Sequence, residues 1–355
     1  MRPLRIGSRG SILARWQAEF VRKQLFQLTG VEAEVVIIKT SGDKMQQAPL
    51  TQIGGKGIFI KELEEALLEE SVDLAVHSVK DIPTETPSRL HFPAVCRRDD
   101  VRDCLVSNNG TPLANLKQGA RVGTSSLRRQ AQLRHYRPDL DIRELRGNVD
   151  TRLRKVESGE YDAIVLSKAG LDRLGWSQKI TEPLSTEISL PAVGQGAIAI
   201  ESRVKDQEAA EILGKLDDEE TRTVIIAERA LLAALQGGCQ VPLGAWARIE
   251  RGELVMEAVV CSVDGAQYVR QKATAPPAQA AELGQRMAQL LIEGGARNIL
   301  DEVNRAGEWG FSKQLEREAR GGDARGRAER ILSAGIAGER GRAGAHAAGG
   351  VWCAG

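Results

Sequence analysis

The chain has 355 residues, of which 42% are hydrophobic and 27% charged, a composition typical of a globular protein with more than one domain. Its formal net charge of +1 indicates no overall attraction to nucleic acid or to an anionic membrane. No apolar run could span a membrane, and the basic N-terminus lacks the apolar segment of a secretory signal. The five cysteines are widely spread and contain no Cys-x-x-Cys pair. We therefore expect a reduced, cytoplasmic protein without disulfides and without a metal site.

The N-terminal region predicts a strand at 4–7, an amphipathic helix at 12–28 and a second strand at 31–39. This order indicates a parallel sheet with helices packed on its faces. The polar, glycine-bearing stretch 40–57 is long for a connection inside a domain, and such connections are commonly functional. Its glycines lack the spacing of a phosphate-binding loop, so Lys56 is interpreted as a cation on a lid.

A buried strand predicted at 72–76 is followed directly by polar side chains. These side chains are His77, Ser78, Lys80 and Asp81. Open α/β sheets keep their ligands beyond the carboxyl ends of the strands, so this cluster is a candidate site. The alternative is a solvated loop in which Lys80 and Asp81 merely pair with each other.

Nine arginines against four acidic residues lie between positions 121 and 155. A solvated face would carry more interleaved acids, and a nucleic-acid surface would bring aromatic stackers or a basic net charge. We favour a pocket for a small polyanion, because arginine binds carboxylates in a bidentate manner and a helix start offers free N–H groups. The arginines at or just after predicted strand-to-helix turns are Arg128, Arg129, Arg146 and Arg152.

The C-terminal half predicts a return to the first domain and then a third unit. Residues 190–201 are interpreted as the returning crossover, with Gln195 at its turn, which would leave a cleft between two α/β domains. A helix at 221–235, three strands and a final helix predict a small α+β domain. Cys239 lies in a glycine-rich loop after that helix, and taken alone such a cysteine is more often inert. Residues 306–355 predict a disordered tail.

Seven motifs occur in order along residues 3–300. They are Arg-Ile-Gly-Ser-Arg-Gly-Ser (5–11), Gly-Gly-Lys-Gly-Ile-Phe-Ile-Lys-Glu-Leu-Glu (54–64), Asp-Leu-Ala-Val-His-Ser-Val-Lys-Asp-Ile-Pro (73–83), Gly-Thr-Ser-Ser-Leu-Arg-Arg-Gln (123–130), Arg-Gly-Asn-Val-Asp-Thr-Arg (146–152), Pro-Ala-Val-Gly-Gln-Gly (191–196) and Gly-Gly-Cys-Gln-Val-Pro-Leu-Gly (237–244). With these motifs the chain resembles the porphobilinogen deaminase (hydroxymethylbilane synthase) family of tetrapyrrole biosynthesis.

The resemblance implies an α/β protein with two periplasmic-binding-protein-like (type II) domains and a small C-terminal α+β domain. The implied domains are 1–98 plus 191–215, 99–190 and 216–305, followed by the 306–355 tail. It also implies a monomer that binds neither nucleic acid nor membrane and passes its product to uroporphyrinogen-III synthase.

The resemblance implies a reaction in which four porphobilinogen units are deaminated and joined head to tail onto a dipyrromethane cofactor. Hydroxymethylbilane is then released. The cofactor would be bound to Cys239 through a thioether, which reverses the inert interpretation because an exposed thiolate can attack an electrophilic methylene. Asp81 would be the catalytic group, whose carboxylate accepts pyrrole N–H bonds and stabilises the transient cation.

By residue-wise match the resemblance also implies two sets of binding residues. The cofactor would be held by Cys239, Arg9, Ser11, Lys56, Ser78, Lys80, Asp81, Thr124, Ser126, Arg128, Arg129, Arg146 and Asn148. The substrate would be held by Arg9, Arg146, Arg152, Arg173, Phe59 and Gln195, with Phe59 and Lys56 on the lid.

Two other functions stay open from the sequence. A non-catalytic small-anion-binding protein of the same two-domain fold would need neither Cys239 nor Asp81. An RNA-binding protein using the arginine cluster would show a steep dependence of affinity on salt.

Overall fold

The computed structural model describes residues 2–40, 60–235, 241–303 and 305. The predictions for Lys56, Phe59, the Cys239 loop and the 306–355 tail concern positions outside these residues. Among the described helices, none is long and apolar enough to cross a membrane.

The described residues form strands in three sheets, together with α-helices and short turns of other helix types. The strands are β1 (Leu4–Arg9), β2 (Ala33–Ile38), β3 (Leu74–Ser78), β4 (Leu90–Val95), β5 (Asp103–Ser107), β6 (Arg121–Gly123), β7 (Asp141–Arg143), β8 (Ala163–Ser167), β9 (Glu182–Pro183), β10 (Ile198–Arg203), β11 (Leu243–Glu250), β12 (Glu253–Cys261) and β13 (Tyr268–Ala275). The α-helices are α1 (Ile12–Thr29), α2 (Lys61–Leu68), α3 (Leu127–Tyr136), α4 (Val149–Glu157), α5 (Lys168–Arg173), α6 (Gln207–Gly214), α7 (Glu219–Ala234) and α8 (Ala280–Leu291).

The first α/β sheet has the strand order β2-β1-β3-β10-β4. β1 pairs in parallel with β2 and β3, whereas β10 runs antiparallel between β3 and β4. The sheet is therefore mixed and not wholly parallel, because β10 enters it from the second α/β unit. Helix α1 packs on this sheet; it begins after Ser11, whose hydroxyl accepts the Ala14 N–H, and ends at Gly30, which has a φ of 71°.

The second sheet repeats the pattern with the order β7-β6-β8-β5-β9. β6 pairs in parallel with β7 and β8, and β5, which arrives from the first unit, runs antiparallel to β8. Each sheet thus receives one antiparallel strand from a crossover between the units. This is the arrangement of type II periplasmic-binding-protein-like domains, and the predicted fold class is confirmed.

The third sheet is the antiparallel meander β11-β12-β13, covered by α7 and α8. Its apolar core is continuous with residues of the first unit. Buried Ile225 and Leu231 of α7 belong to the same cluster as Val79 and Ile82, which follow β3. The third domain is therefore packed directly against the end of the strand that carries the candidate site.

The end of β3 differs from the prediction. The strand runs to Ser78, so His77 lies inside it instead of in the loop that follows. His77 is buried, and its Nε2 lies 2.9 Å from a carboxylate oxygen of buried Glu201 on the neighbouring β10. The predicted end of the strand at residue 76 was therefore wrong: a polar residue lies within the buried strand because the adjacent strand supplies its partner.

Candidate active site

A cavity of about 220 Å³ lies where the two α/β units and the third domain meet. The first unit contributes the segment from Val79 to Thr84, and the second contributes residues at the start of α3. The returning crossover and α7 close the remaining sides. The polar and charged residues that line the cavity are Lys80, Asp81, Thr84, Ser126, Arg128, Arg129, Gln195 and Arg229.

Asp81 ends a single 3₁₀ turn, Val79–Asp81, directly after β3. The turn is fixed by two backbone hydrogen bonds, from the Val79 N–H to the Ala197 carbonyl and from the Ile82 N–H to the Val79 carbonyl, both 3.1 Å. The half-buried Asp81 side chain lines the cavity, and none of the described residues donates a hydrogen bond to its carboxylate. Its oxygens are therefore available to donors on a ligand.

Lys80 lies beside Asp81 and contacts the crossover. Its Nζ is 3.5 Å from Oε1 of Gln195. Desolvation lowers the pKa of Lys80 to about 8, and nearby Arg129 acts in the same direction, whereas the charge of Asp81 opposes the shift. An ammonium group at this position can pair with an anionic ligand and does not form a hydrogen-bonded ion pair with Asp81 in this structure.

Gln195 is fully buried, and its amide links the crossover to the second unit. The amide nitrogen donates to the Val101 carbonyl at 2.8 Å and to the Asp103 carboxylate at 2.9 Å. Its oxygen lies 3.5 Å from both Lys80 Nζ and Arg129 Nη2. Both ends of the predicted substrate-binding amide are thus engaged by the protein.

Asp103, the first residue of β5, organises the arginine side of the cavity. It is completely buried and accepts hydrogen bonds from Arg128 Nη1 at 2.7 Å, Arg129 Nη2 at 2.7 Å and Ser189 Oγ at 2.8 Å. Burial by itself would raise the pKa of Asp103, but the charges and hydrogen bonds of the two arginines outweigh it and hold the pKa well below its usual range.

Arg128 and Arg129 are consequently directed towards Asp103, although both line the cavity. Arg128 also donates to the Leu190 carbonyl, and Arg129 donates to the Val165 carbonyl at 3.0 Å. Two positive charges shared with one carboxylate leave a net positive wall. That wall is rigid, because both guanidinium groups are buried and held by several acceptors.

Two helix N-termini lie at the same edge of the second sheet, since β6 and β7 are adjacent and parallel. Ser126 is the N-cap of α3 and Asn148 the N-cap of α4, and neither side chain accepts a hydrogen bond from its helix. Thr124 is buried just ahead of Ser126 and accepts its N–H at 3.3 Å. Uncapped first turns leave backbone N–H groups and the positive helix end available to an anion.

Arg146 and Arg152 flank the second of these helix starts. Arg146 is bonded to Glu144, with Nε to Oε1 at 2.7 Å. Arg152 donates from Nε to the Gly147 carbonyl at 2.7 Å and has no acidic partner within the described part of the chain. Burial, followed by the charges of Arg129 and Arg146, lowers the pKa of Arg152 to about 10. Arg152 therefore lies near other cations and has guanidinium N–H groups that donate to no acidic partner among the described residues, as expected for a residue that binds a carboxylate.

Arg9, Ser11 and Ser78 lie at the carboxyl ends of β1 and β3 or just after them. The Ser11 hydroxyl caps α1 by accepting an N–H at 3.3 Å. The Ser78 hydroxyl accepts from Gln17 Nε2 at 2.8 Å. These three residues occupy the edge of the first sheet from which Asp81 also projects.

Arg173 lies elsewhere. Its Nε donates to Asp99 at 2.8 Å and its Nη2 to the Gly196 carbonyl at 2.7 Å, so it links α5 to both crossover segments. The structure does not bring it among the residues that line the cavity. Its burial behind the crossovers favours a role in joining the two units.

Sequence reasoning missed two further residues that hold the site together. Glu228 on α7 is completely buried and accepts both Nη groups of Arg98, at 2.7 and 3.1 Å, together with the Gly194 and Ala247 N–H groups. Arg229, the next residue, donates to backbone carbonyls of the Asp81 loop. The only sequence signal for them was an adjacent Glu-Arg pair within an apolar helix, where charges require partners.

Two α/β units meet at a cation-walled cavity in which the Asp81 carboxylate accepts no hydrogen bond from the described residues, an arrangement that suits a protein binding an anionic ligand between its domains. The chain belongs to the porphobilinogen deaminase family. The model of the porphobilinogen deaminase, dipyromethane cofactor binding domain matches residues 4–211, and that of the porphobilinogen deaminase C-terminal domain matches residues 222–293.

Two relatives are similar over most of their length. The porphobilinogen deaminase of Syntrophobacter fumaroxidans is 47% identical over 306 residues, covering 86% of this chain and 99% of the relative. That of Syntrophotalea carbinolica is 51% identical over 298 residues, covering 84% and 95%.

Solved structures with a similar outline are much more distant. The BvgS periplasmic VFT2 domain of Bordetella pertussis has a TM-score of 0.37 at 16% identity, covering 62% of this chain and 91% of that one. A periplasmic substrate-binding protein of an ABC transporter from Coxiella burnetii has a TM-score of 0.39 at 15% identity, covering 60% and 91%. The fold class is established here by the strand order, not by these likenesses.

Proposed function

We propose that the chain is a hydroxymethylbilane synthase, a transferase that deaminates four porphobilinogen units, joins them head to tail onto a bound dipyrromethane and releases hydroxymethylbilane. The family match over most of the chain supports this reaction, and it disfavours the small-anion-binding and RNA-binding alternatives. The structural observation that carries the proposal is the Asp81 carboxylate, which lines a cation-walled cavity and accepts no hydrogen bond from the part of the chain that the structure describes.

The proposed role of Asp81 follows from the charge that the reaction creates. When porphobilinogen loses ammonia, the departing nitrogen takes the bonding electrons, and positive charge spreads onto the pyrrole ring and its N–H. A fixed carboxylate that accepts this N–H stabilises the cation more than the neutral substrate. At about 4 Å and an effective dielectric of about 20, the attraction reaches up to about 4 kcal/mol. That corresponds to roughly a thousandfold in rate.

The residues on the opposite wall fit a cofactor that carries several carboxylates. We propose that the N-termini of α3 and α4, with Arg146 and Arg152, bind its acetate and propionate groups. Support comes from the two uncapped helix starts and from the unused donors of Arg152. When bound, the dipyrromethane supplies the nucleophilic ring carbon to which the first substrate is added. The chain's own contribution is to orient the carboxylates and to keep Asp81 beside the reacting ring.

Cys239 is proposed as the point of covalent attachment. It lies outside the described residues, but the residues on either side of its loop support the assignment. Leu232 of α7 and Val241 both line the cavity, so described residues on both sides of the segment that contains Cys239 lie at the cavity wall. Lys56 and Phe59 are proposed to act from the lid segment. Arg9, Ser11, Ser78 and Lys80 are proposed to bind carboxylates from the first sheet.

We also propose the domain limits 1–98 plus 191–215, 99–190 and 216–305. The packing of Leu213 in the core of the first sheet supports placing the stretch after the crossover in the first domain. We further propose a cytoplasmic monomer that passes its product to uroporphyrinogen-III synthase. Sedimentation of the purified chain tests the first part, and a mass near that of a dimer would contradict it.

Intact mass spectrometry tests the proposed reaction. The purified protein should exceed its polypeptide mass by one dipyrromethane, and porphobilinogen should add further pyrrole-sized increments. Cys239→Ser should have the bare polypeptide mass, with Cys261→Ser as the matched control that keeps the adduct. A wild-type protein that neither carries an adduct nor consumes porphobilinogen would overturn the proposal, and an adduct on Cys239→Ser would move the attachment elsewhere.

A further inference from the structure

Arg229 connects the third domain to the loop that carries Asp81. It lies on α7 and is buried, and it donates from Nη1 to the Ile82 carbonyl at 3.1 Å and from Nη2 to the Pro83 carbonyl at 2.6 Å. Ile82 and Pro83 are the two residues that follow Asp81. A guanidinium group that holds two consecutive carbonyls fixes the direction in which the chain leaves the Asp81 turn.

At the carboxyl end of the Asp81 turn, the Ile82 side chain is buried in the apolar core, and Arg229 supplies the side-chain hydrogen bonds that the described residues donate to the Ile82 and Pro83 carbonyls. On its amino side the turn is held by the bond from the Val79 N–H to the Ala197 carbonyl, and inside it by the bond from the Ile82 N–H. The Asp81 side chain itself makes no hydrogen bond with the described residues. Its direction therefore depends on the backbone on either side, and Arg229 holds one of those sides.

The same helix ends just before the Cys239 loop, at Ala234. An α-helix is a rigid element over such a distance, so the contact of Arg229 with the Ile82 and Pro83 carbonyls couples the start of the Cys239 loop to the chain that follows Asp81, in addition to the apolar core that joins the two domains. The tethered end of the growing pyrrole chain and the catalytic carboxylate belong to different domains. A direct link between those domains beside the carboxylate can set their separation.

We propose that Arg229 is a positioning residue: by holding the carbonyls of Ile82 and Pro83 it aims the Asp81 carboxylate at the ring that reacts. This inference rests on the proposed function and names a residue to which the sequence and the family match assign no role here. It requires that the loss of Arg229 act on catalysis through Asp81. Misplacement of a reacting group by about 1 Å can cost about a hundredfold in rate.

The chain offers a matched control on the same helix. Arg222 also reaches from α7 to two backbone carbonyls of the first unit, with Nη2 3.1 Å from the Phe92 oxygen and 3.0 Å from the Pro93 oxygen. Those carbonyls belong to β4 and not to the Asp81 loop. Arg222→Ala therefore removes a similar link between the same two domains without touching the loop.

The test compares Arg229→Ala, Arg229→Lys and Arg222→Ala in the full-length protein loaded with its cofactor. We expect Arg229→Ala to lower kcat about ten- to a hundredfold while KM and cofactor occupancy stay near wild type. Arg229→Lys should recover part of the loss, because an ammonium group can still donate to at least one carbonyl. Arg222→Ala should leave kcat within about threefold. A loss of occupancy or a rise in KM alone would make Arg229 a ligand-binding residue and would overturn the proposal.

A double-mutant cycle separates positioning from general stability. In an Asp81→Asn background, Arg229→Ala should slow the single-turnover rate by less than threefold, because the group that it positions has already been lost. Arg222→Ala should have the same small effect in both backgrounds. An undiminished effect of Arg229→Ala in the Asp81→Asn background would overturn the inference.

Hydrogen exchange tests the positioning without relying on activity. Arg229→Ala should accelerate amide exchange at Val79 and Ile82, whereas Arg222→Ala should not. Unchanged exchange at these amides would overturn the inference even if turnover fell. If the wild-type protein itself consumed no porphobilinogen, the proposed function would fail, and the exchange measurement would still decide whether Arg229 holds the loop.

Discussion

Asp81 and Asp103 carry the same carboxyl group at two sides of one cavity, but their surroundings are opposite. Asp103 is completely buried and accepts hydrogen bonds from two arginines, a serine and a glutamine. Asp81 is half-buried and accepts none from the described residues. The difference separates a structural carboxylate from a reactive one. A carboxylate that already accepts hydrogen bonds from the protein at its free positions, such as Asp103, holds protein groups in place. A carboxylate with open acceptor positions, such as Asp81, can respond to charge that appears on a ligand.

Asp81→Asn should produce the largest effect. The amide keeps the size of the side chain but loses the negative charge, so we expect turnover to fall by about a thousandfold. The melting temperature should stay within a few degrees of wild type, because no internal hydrogen bond is lost. Porphobilinogen consumption and a thermal melt on the same sample check this. Near-normal turnover would show that the Asp81 carboxylate is not the catalytic group.

Asp103→Asn should instead damage the fold. It would leave two buried guanidinium groups without a counter-charge, and breaking such a pair costs about 3–5 kcal/mol of unfolding free energy. The matched control is Asp100→Asn, since Asp100 is partly exposed and, among the described residues, pairs with Arg102 and Lys168. That change should cost less than about 1 kcal/mol. Urea denaturation measures the free energy of unfolding of both variants. Equal midpoints would show that Asp103 stabilises the fold no more than the partly exposed Asp100.

Arg152→Ala and Arg128→Ala extend the comparison to the cations. Arg152 has no acidic partner among the described residues, so its loss should raise the porphobilinogen KM or weaken cofactor retention by about tenfold, with little change in stability. Arg128 is bound to Asp103 and to the Leu190 carbonyl, so its loss should lower the melting temperature as well. Steady-state kinetics with thermal melts separate the two. A stable Arg128→Ala protein with only a binding defect would contradict the anchoring role.

Glu64 on α2 is a third carboxyl group, and here burial is not offset by donors. Burial, together with the charge of Glu201, raises the pKa of Glu64 to about 7, and its Oε1 has no hydrogen-bond partner among the described residues. The folded protein therefore binds a proton at Glu64 more tightly than the unfolded chain does. The contribution of this proton to the free energy of unfolding is fully present below about pH 4.5 and is lost as the pH rises through about 7. Glu64→Gln should therefore raise the melting temperature at pH 8 relative to wild type and change it little at pH 5. The same small shift at both pH values would show that Glu64 is not protonated in the folded state.

The sequence predicts the elements that have clear periodicity and misses those that depend on partners distant in the chain. The long helices α1 and α7 and the hairpins of the third sheet follow from apolar spacing and turn residues. Strands β4 and β6 do not, because β4 is defined by its pairing with β10 and β6 is only three residues long. Pattern reasoning on residues near in sequence has no access to such pairings.

The site shows the same limit. Asp81 was predicted because polar residues followed a buried strand, and that position depends on nearby sequence alone. The role of Asp103 could not be read in the same way, since its partners Arg128, Ser189 and Gln195 are 25 to 92 positions away. A charge at the start of an otherwise apolar strand was the one usable signal, because a buried carboxylate requires donors from elsewhere in the chain.

During synthesis the interleaved sheets cannot be completed in the order in which they emerge from the ribosome. β4 ends at residue 95, but β10, its only strand partner in the described sheet, begins at residue 198. At typical elongation rates that interval lasts about 5–20 seconds, long enough for β5 to β9 to assemble first. Throughout it the edges of β3 and β4 lack the strand that lies between them, and such edges attract chaperones or other chains. A truncation between β9 and β10 should therefore cause aggregation of the protein even though all strands of the second sheet are present.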